Sequence, residues 1–200
     1  MVPDKYKFLQ SPEMPGMVQE ALKFYGIKEL AGAPSNKVIT DWADFVYSVT
    51  KTKYSKWAAD WYNNDDIAWC GLFVAYLAAK TSNGRKDRMP PDSYLSALAW
   101  ANFGEAVQFK GKEGYRLGEI CIGDVGVFTR NGGGHVGLIV GVSNSNTVFV
   151  LGGNQSNSVN VTELAVNRLY AVRRPVYRVR PAGAKHVRMG STGVLSTNEA

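Results

Sequence analysis

The sequence predicts an α+β domain in which N-terminal helices pack on a C-terminal antiparallel β-sheet of about five to six strands. Apolar residues recur at helical spacing in the first half of the chain, whereas short β-rich runs separated by glycine and asparagine begin near Ile120. Helices followed by a meander of strands are typical of a helical layer on one face of a sheet. With 200 residues, 45% of them hydrophobic, the chain is long enough to bury one core.

The helical half contains four predicted segments. In the second, Asn36 can cap a helix whose apolar residues form a single stripe. In the third, Asp65 or Asp66 can cap a helix that carries Cys70 near its start and ends before a run rich in glycine and proline. The four segments are residues 15–25, 36–49, 66–79 and 93–102.

The second half predicts successive strands at DVGVFTR, HVGLIVGV, TVFVLGG, SVNVTEL and RLYAVRRPVYRV. A two-residue hairpin turn at residues 144–145 pairs Val142 with Thr147 and sets the register of the two flanking strands. In that register, His135 falls opposite Asn154 on one face of the sheet, with Cβ atoms about 5 Å apart. A bulge at the glycines before Asn154 would shift this pairing.

The net charge of +6 is concentrated at the C-terminal end. From Arg173 onward the chain has six basic residues and a single acidic one, Glu199. We expect residues 1–180 to form one domain and residues 181–200 to be a basic tail with little apolar content, either flexible or docked on the domain. Such a tail suits an anionic partner, such as a wall polymer, lipopolysaccharide, phospholipid or virion component, or it is simply solvated. No nucleic-acid-binding module accompanies it, so we expect no specific nucleic acid partner.

Composition argues against several classes of protein. The two cysteines, Cys70 and Cys121, are too few for a disulfide framework. No apolar stretch is long enough to span a membrane, and the N-terminus lacks the basic and apolar blocks of a signal peptide. We therefore expect a monomer that is made in the cytoplasm and has no membrane span.

Cys70 has two interpretations. It follows Trp69 directly and starts an apolar run, and free cysteine is among the most buried residue types, so a packed core thiol is one interpretation. A nucleophile is the other, because the unpaired N–H groups and the positive end of a helix stabilise a thiolate. A nucleophilic thiol also needs a base.

Two histidines can supply that base. His186 lies in the predicted tail, and we interpret it as a surface residue. His135 opens a strand and shares a face with glycines, which leave space above it for a helix end or a substrate. Asn154 can accept the imidazole N–H and fix the tautomer that presents the other ring nitrogen to the thiol. Structural roles stay open for both: a histidine at a sheet edge and an asparagine in a turn.

Four sequence blocks, WCGLFVAYL, GDVGVF, GHVGLIVGV and VLGGNQSNSVNV, occur in this order within residues 15–175. With them the chain resembles the papain-like peptidoglycan hydrolases of the CHAP and NlpC type. The resemblance implies a papain-like fold and a cysteine amidase or peptidase that cleaves an amide bond in bacterial cell-wall peptide. It also implies that Cys70 is the nucleophile, His135 the base and Asn154 the orienting residue. Many CHAP members carry an acidic residue where this chain has Gly152.

Further residues complete the predicted site. Trp69 and Gln155 flank it and shape the substrate groove or the oxyanion hole, unless Trp69 packs in the core and Gln155 caps a turn. Asp66 is a third such residue, with helix capping as its alternative role. We expect no cofactor and no metal: some CHAP enzymes bind calcium, but the sequence around Asp65 and Asp66 lacks a ligand-rich loop.

The resemblance further implies a phage-encoded enzyme of cell-wall degradation, with peptidoglycan as its partner. It would be an antimicrobial endolysin released at lysis or an enzyme carried by the virion tail, made in the host cytoplasm and acting at the bacterial wall. Two alternatives stay open. One is a catalytically silent virion or wall-binding protein on the same fold, and the other is a papain-like effector that acts on a non-wall amide or ester.

Overall fold

The structure is a computed structural model that describes residues 1–30, 32, 34–109, 117–144 and 146–199. Within these residues, four α-helices, α1 to α4, span Gly16–Leu22, Lys37–Thr50, Lys53–Trp61 and Cys70–Thr81. Short 3-10 helices occupy Asp4–Gln10, Lys86–Arg88, Ala97–Asn102, Leu117–Glu119 and Val166–Arg168. Within the described ranges, no helix has both the length and the apolar character needed to cross a lipid bilayer.

In the described part of the chain, six strands form one sheet in the order β1-β6-β2-β3-β4-β5, and every neighbouring pair is antiparallel. The strands β1 to β6 span Glu105–Phe109, Val125–Arg130, Gly133–Val142, Thr147–Gly152, Asn160–Ala165 and Leu169–Arg174. The predicted α+β architecture, with helices before an antiparallel sheet, is therefore confirmed. The sequence does not predict α3 or the edge strand β1, which is short and joined to β6 through a bulge.

Helix α4 begins at Cys70, four residues later than predicted. Trp69 takes the N-cap position and makes no side-chain cap hydrogen bond, so the predicted aspartate cap is wrong. Asp65 is buried instead and accepts hydrogen bonds from the backbone N–H groups of Leu30 (3.0 Å) and Asn36 (2.8 Å). Its carboxylate is thus used to hold the loop before α2, and Cys70 becomes the first helical residue.

The core is centred on α4, which is buried on all sides from Cys70 to Ala79. Helix α2 packs on it, and its N-cap is the predicted one: Asn36 Oδ1 accepts from the Val38 N–H at 3.0 Å. Strands β2 to β4 turn one face toward the helices, with Val127, Val136, Leu138, Phe149 and Leu151. The opposite face has its own apolar cluster, which includes Phe128, Ile139, Val150, Leu164 and Val172.

Residues 185–199, called the C-terminal segment below, lie along the sheet. The Val142 N–H of β3 donates to the Val187 carbonyl (3.0 Å), and the Val142 carbonyl accepts from the Met189 N–H (2.8 Å). Low apolar content left both a flexible and a docked tail open. The described residues are attached to β3 by hydrogen bonds, a type of contact that composition does not reveal.

Polar side chains hold the C-terminal segment further along. Glu163 of β5 is buried and accepts hydrogen bonds from the Ser191 hydroxyl (2.6 Å) and from the Thr192 N–H (2.7 Å). Burial raises the pKa of Glu163, but hydrogen bonds from Ser191, Thr147 and Thr192 outweigh burial and lower this pKa to about 2.

Four arginines from residue 173 onward donate hydrogen bonds to protein acceptors: Arg173, Arg174, Arg180 and Arg188. Most of the basic end therefore supports the fold.

Candidate active site

Cys70 is fixed at the N-terminus of α4 by a close backbone contact. A Cβ atom on the next residue, Gly71, would lie 2.3 Å from the Tyr94 carbonyl oxygen and 2.8 Å from that of Leu95. No side chain fits there, so the start of the helix can press directly against this turn. Cys70 is the first residue of α4 and is 4% exposed.

The sulfur of Cys70 lies beside the peptide group that joins His135 to Val136. Burial raises the pKa of the Cys70 thiol, while the backbone N–H groups of Val136 and Gly71 and the charge of Arg130 oppose this rise. A backbone N–H stabilises a thiolate only when it points at the sulfur at hydrogen-bonding range. The start of α4 and the start of β3 therefore meet in one site.

His135 is held between β2 and the end of β4. It pairs with Phe128 of β2, and the centroids of the two rings are 6.3 Å apart. The His135 side chain is fully buried. The ring therefore has a defined position before any substrate is present.

The β3–β4 hairpin differs from the prediction at its turn. Val142 pairs with Val148 and not with Thr147, and a register shift between Ile139 and Gly141 compensates for the difference. Toward the site, the pairing of the two strands is the one that the sequence predicts. The error at the turn therefore does not displace the end of the hairpin that carries the histidine.

Gln155, and not Asn154, contacts the His135 ring. Strand β4 ends at Gly152, and Asn154 has a left-handed backbone conformation (φ 57°) that turns the chain out of the ladder. Oε1 of Gln155 lies 3.0 Å from Nε2 of His135. The predicted hydrogen bond between Asn154 and His135 is wrong because the ladder stops two residues before Asn154.

The Gln155 side chain is itself oriented by the backbone. Its Nε2 donates to the carbonyl oxygens of Val150 (3.1 Å) and Asn160 (2.8 Å), so Oε1 faces the imidazole as an acceptor. Nε2 of the neutral His135 ring therefore carries the proton, and Nδ1 has a free lone pair. Nδ1 is buried and has no hydrogen-bond partner among the described residues. It is the ring nitrogen that is left to accept a proton.

Gly152 makes room for the His135–Gln155 pair. A Cβ atom on Gly152 would lie 2.8 Å from Oε1 of Gln155 and 3.3 Å from Nε2 of His135. An acidic side chain at this position, which the resemblance to CHAP hydrolases implies, would displace the glutamine. Gln155 therefore reaches the imidazole through space that Gly152 leaves open.

The resting site is electrically neutral at its two central groups. Burial lowers the pKa of His135 to about 4, although the Gln155 hydrogen bond and the negative charge of Glu199 act in the opposite direction. Burial also raises the pKa of Cys70. At neutral pH the site therefore holds a thiol and an uncharged imidazole.

Two other predicted site residues have no contact that places them in a substrate groove: Trp69 lies in the core and Asp66 at the surface. Trp69 is fully buried, packs against Gly153 and donates its Nε1–H to Glu29 at 3.1 Å, so it fills the core, which is the alternative that its sequence context left open. Asp66 does not cap α4, and that prediction is wrong. It is exposed and borders a surface cavity beside α2 together with Lys37.

Three charged residues that the sequence analysis does not assign to the site lie beside it. Arg130 ends β2, Arg168 precedes β6, and Glu199 belongs to the C-terminal segment. All three border one cavity of about 550 Å³, and the charge of each influences the pKa of His135. Their sequence signals are weak, since arginines in loops and one acid in a basic segment are common.

The described residues contain no group of three or more histidine, cysteine, aspartate and glutamate side chains that could hold a metal ion. Comparison of the chain with family models, curated proteins and solved structures finds no match. What the protein does must therefore be argued from the contacts of Cys70, His135 and Gln155.

Proposed function

We propose that this protein is a thiol hydrolase that cleaves an amide bond, with Cys70 as nucleophile, His135 as general base and Gln155 as the residue that orients the base. One observation carries the proposal: Nε2 of His135 is held by Gln155 while Nδ1 is unengaged, and the sulfur of Cys70, at a helix start, lies beside the backbone N–H of the adjacent residue, Val136. Papain-type proteases arrange the same groups around an asparagine. A papain-like fold is part of the proposal.

The reaction begins when Nδ1 of His135 takes the proton from Sγ of Cys70 and the sulfur attacks the carbonyl carbon of the amide. The carbonyl oxygen becomes an oxyanion, to which the backbone N–H of Cys70 can donate because the first turn of a helix leaves its N–H groups unpaired. His135 then gives its proton to the departing amine as the C–N bond breaks, which leaves a thioester. Water, deprotonated by Nδ1, hydrolyses the thioester and releases the acid.

The substrate in this proposal is the peptide part of bacterial peptidoglycan. The support is the order and spacing of the four sequence blocks that resemble CHAP and NlpC hydrolases, two of which contain Cys70 and His135. In this proposal the protein is a phage lysis enzyme or a virion component that acts at the cell wall.

Purified cell walls incubated with the wild-type protein and with Cys70→Ser test the proposal. We expect new peptide amino termini in the mass spectrum of the wild-type digest, and a loss of at least about 1000-fold with Cys70→Ser. Cys121→Ser is the matched control, since Cys121 is also a buried free cysteine but lies away from α4. Equal cleavage by Cys70→Ser and wild type would remove Cys70 as nucleophile.

The burial of Cys70 and His135 favours a second candidate, a catalytically silent wall-binding or virion protein. That protein would bind walls without releasing peptides. A papain-like effector would instead release no wall peptide but would cleave another amide or ester. The same digest separates both from a wall hydrolase.

A further inference from the structure

Arg168 and Glu199 form an ion pair that joins the C-terminal segment to the body of the protein. The guanidinium is a two-pronged donor: Nη2 lies 2.5 Å from Oε2 of Glu199, and Nη1 lies 3.3 Å from Oε1. The Glu199 side chain is 1% exposed, against 23% for that of Arg168. The Glu199 carboxylate is thus buried against the more exposed Arg168 side chain.

Two hydrogen bonds hold Arg168 against Thr129 of β2, the strand that pairs with the start of β3. Its Nε donates to the carbonyl of Thr129 at 3.3 Å, and its own carbonyl accepts from the Thr129 hydroxyl at 3.3 Å. Thr129 pairs with Gly134, the residue before His135. The guanidinium is therefore positioned next to the imidazole by the β2–β3 ladder.

The C-terminal segment also contacts the loop that carries Gln155. The carbonyl of Asn198 accepts from the N–H of Ser156 at 2.9 Å, and Ser156 follows the glutamine that holds the His135 ring. Residues 198 and 199 therefore contact both Arg168 and the residue that follows Gln155. The His135 side chain has no exposed surface while they lie there.

We propose that Arg168 forms a carboxylate-binding subsite beside the active site, and that the C-terminal segment fills this subsite with Glu199 until a peptide substrate with a free carboxylate displaces it. This inference rests on the proposed function, because it places the substrate in the same groove. The ligand class follows from the pairing: a guanidinium fork recognises the two oxygens of a planar carboxylate, and Glu199 presents that group.

The subsite has room for more than the glutamate side chain. Arg130, Asn131 and Thr197 border the same cavity of about 550 Å³ as the ion pair. Arg130 adds a second positive charge, so a carboxylate that replaced Glu199 would enter a basic pocket. A peptide with an amidated carboxyl group would lose the charge-assisted contacts.

The test measures binding in the full chain carrying Cys70→Ser, so that no substrate is consumed. The probes are N-acetyl-alanyl-glutamate and the same dipeptide with both carboxyl groups amidated, titrated by calorimetry. We expect Glu199→Gln to raise affinity for the acid by about tenfold, the effect of removing one competing charge-assisted contact, with no gain for the amide. Glu13→Gln, which changes an exposed glutamate elsewhere, should leave both affinities unchanged.

Adding Arg168→Lys to Glu199→Gln tests whether binding needs the two-pronged geometry of the guanidinium or only its positive charge. Lysine keeps the charge but cannot bind both oxygens, so the acid should lose most of the tenfold gain. Equal binding of acid and amide by the folded Glu199→Gln chain would overturn the subsite, whether or not the Arg168→Lys chain folds. If the acid binds as expected while the chain with intact Cys70 cuts no wall, the subsite stands and the proposed function fails.

Discussion

Oε1 of Gln155 lies 3.0 Å from Nε2 of His135, one residue beyond the asparagine that the strand register predicts for this contact. Two backbone carbonyls fix the amide, so the contact sets both the tautomer and the plane of the imidazole. In the proposed reaction Gln155 touches no reacting atom. It acts as a positioning residue.

Gln155→Ala should lower kcat for wall cleavage by about 100-fold with little change in KM, because the ring loses its orienting contact. The pH profile supplies a readout that a purely structural role would not move. The Gln155 hydrogen bond raises the pKa of His135 against the effect of burial. Its loss should move the acidic limb of kcat to lower pH, whereas Gln155→Glu should move this limb to higher pH.

Asn154→Gly is the matched control for this prediction. Glycine accepts the φ of 57° at this position without strain, so the turn is kept and only the side chain is removed. We expect its kcat to stay well above that of Gln155→Ala. A larger loss with Asn154→Gly than with Gln155→Ala would return the orienting role to the asparagine.

Gly152 and Gly153 should respond differently to alanine. On Gly152 the new methyl group would press on the Gln155 amide, which lies at 2.8 Å, so we expect a fall in kcat. On Gly153 it would press on the Trp69 ring at 2.5 Å, so we expect a loss of about 1–3 kcal/mol in the free energy of unfolding. Steady-state rates and urea denaturation of both variants measure the two effects. The reverse pattern would mean that Gly152 serves packing and not the site.

The stability of the fold should depend on pH through His135. The pKa of His135 is about 4 in the folded chain and near 6.5 in the unfolded chain, so the folded state binds fewer protons. The free energy of unfolding should be at its full value above about pH 6.5 and fall by up to about 3 kcal/mol as the pH drops toward 4. Urea denaturation at several pH values between 7.5 and 4 measures this slope.

His135→Gln removes the titrating group and is the control for that slope. Glu163 has a pKa of about 2, and that of Glu199 is lowered too, so their contributions are lost only at lower pH. The difference between wild type and His135→Gln therefore isolates the imidazole. An identical slope in both proteins between pH 6.5 and 4 would show that the buried ring does not resist protonation.

The sequence was sufficient to predict the sheet, the helix that carries Cys70 and the strand that begins near His135. These elements follow from periodicity, and periodicity reports burial, which here is nearly complete for α4 and β3. It was not sufficient for the partner of the imidazole. That partner depends on where the β3–β4 pairing stops. The pairing stops before Asn154, whose left-handed backbone conformation cannot be inferred from the register of the two strands.

The position at which the C-terminal segment docks could not be predicted from composition for a similar reason. Its contacts are specific hydrogen bonds to Val142, Glu163 and Ser156, which lie far away in the sequence. A segment poor in apolar residues gives no hydrophobic signal for such docking. For the same reason, the sequence did not predict that Arg168 and Glu199 lie near His135.

Burial should restrict the access of reagents to Cys70. In a Cys121→Ser background, iodoacetamide at neutral pH should alkylate Cys70 at least about tenfold more slowly than a free cysteine, because the thiol is buried and its pKa is raised. Glu163→Gln should speed this reaction. The Glu163 carboxylate accepts hydrogen bonds from Ser191 and Thr192, and replacing it with an amide should weaken these bonds and loosen the C-terminal segment. Glu13→Gln serves as control, and circular dichroism checks that each chain remains folded. Equal alkylation rates in the folded Glu163→Gln and control proteins would show that the segment does not limit access to the sulfur.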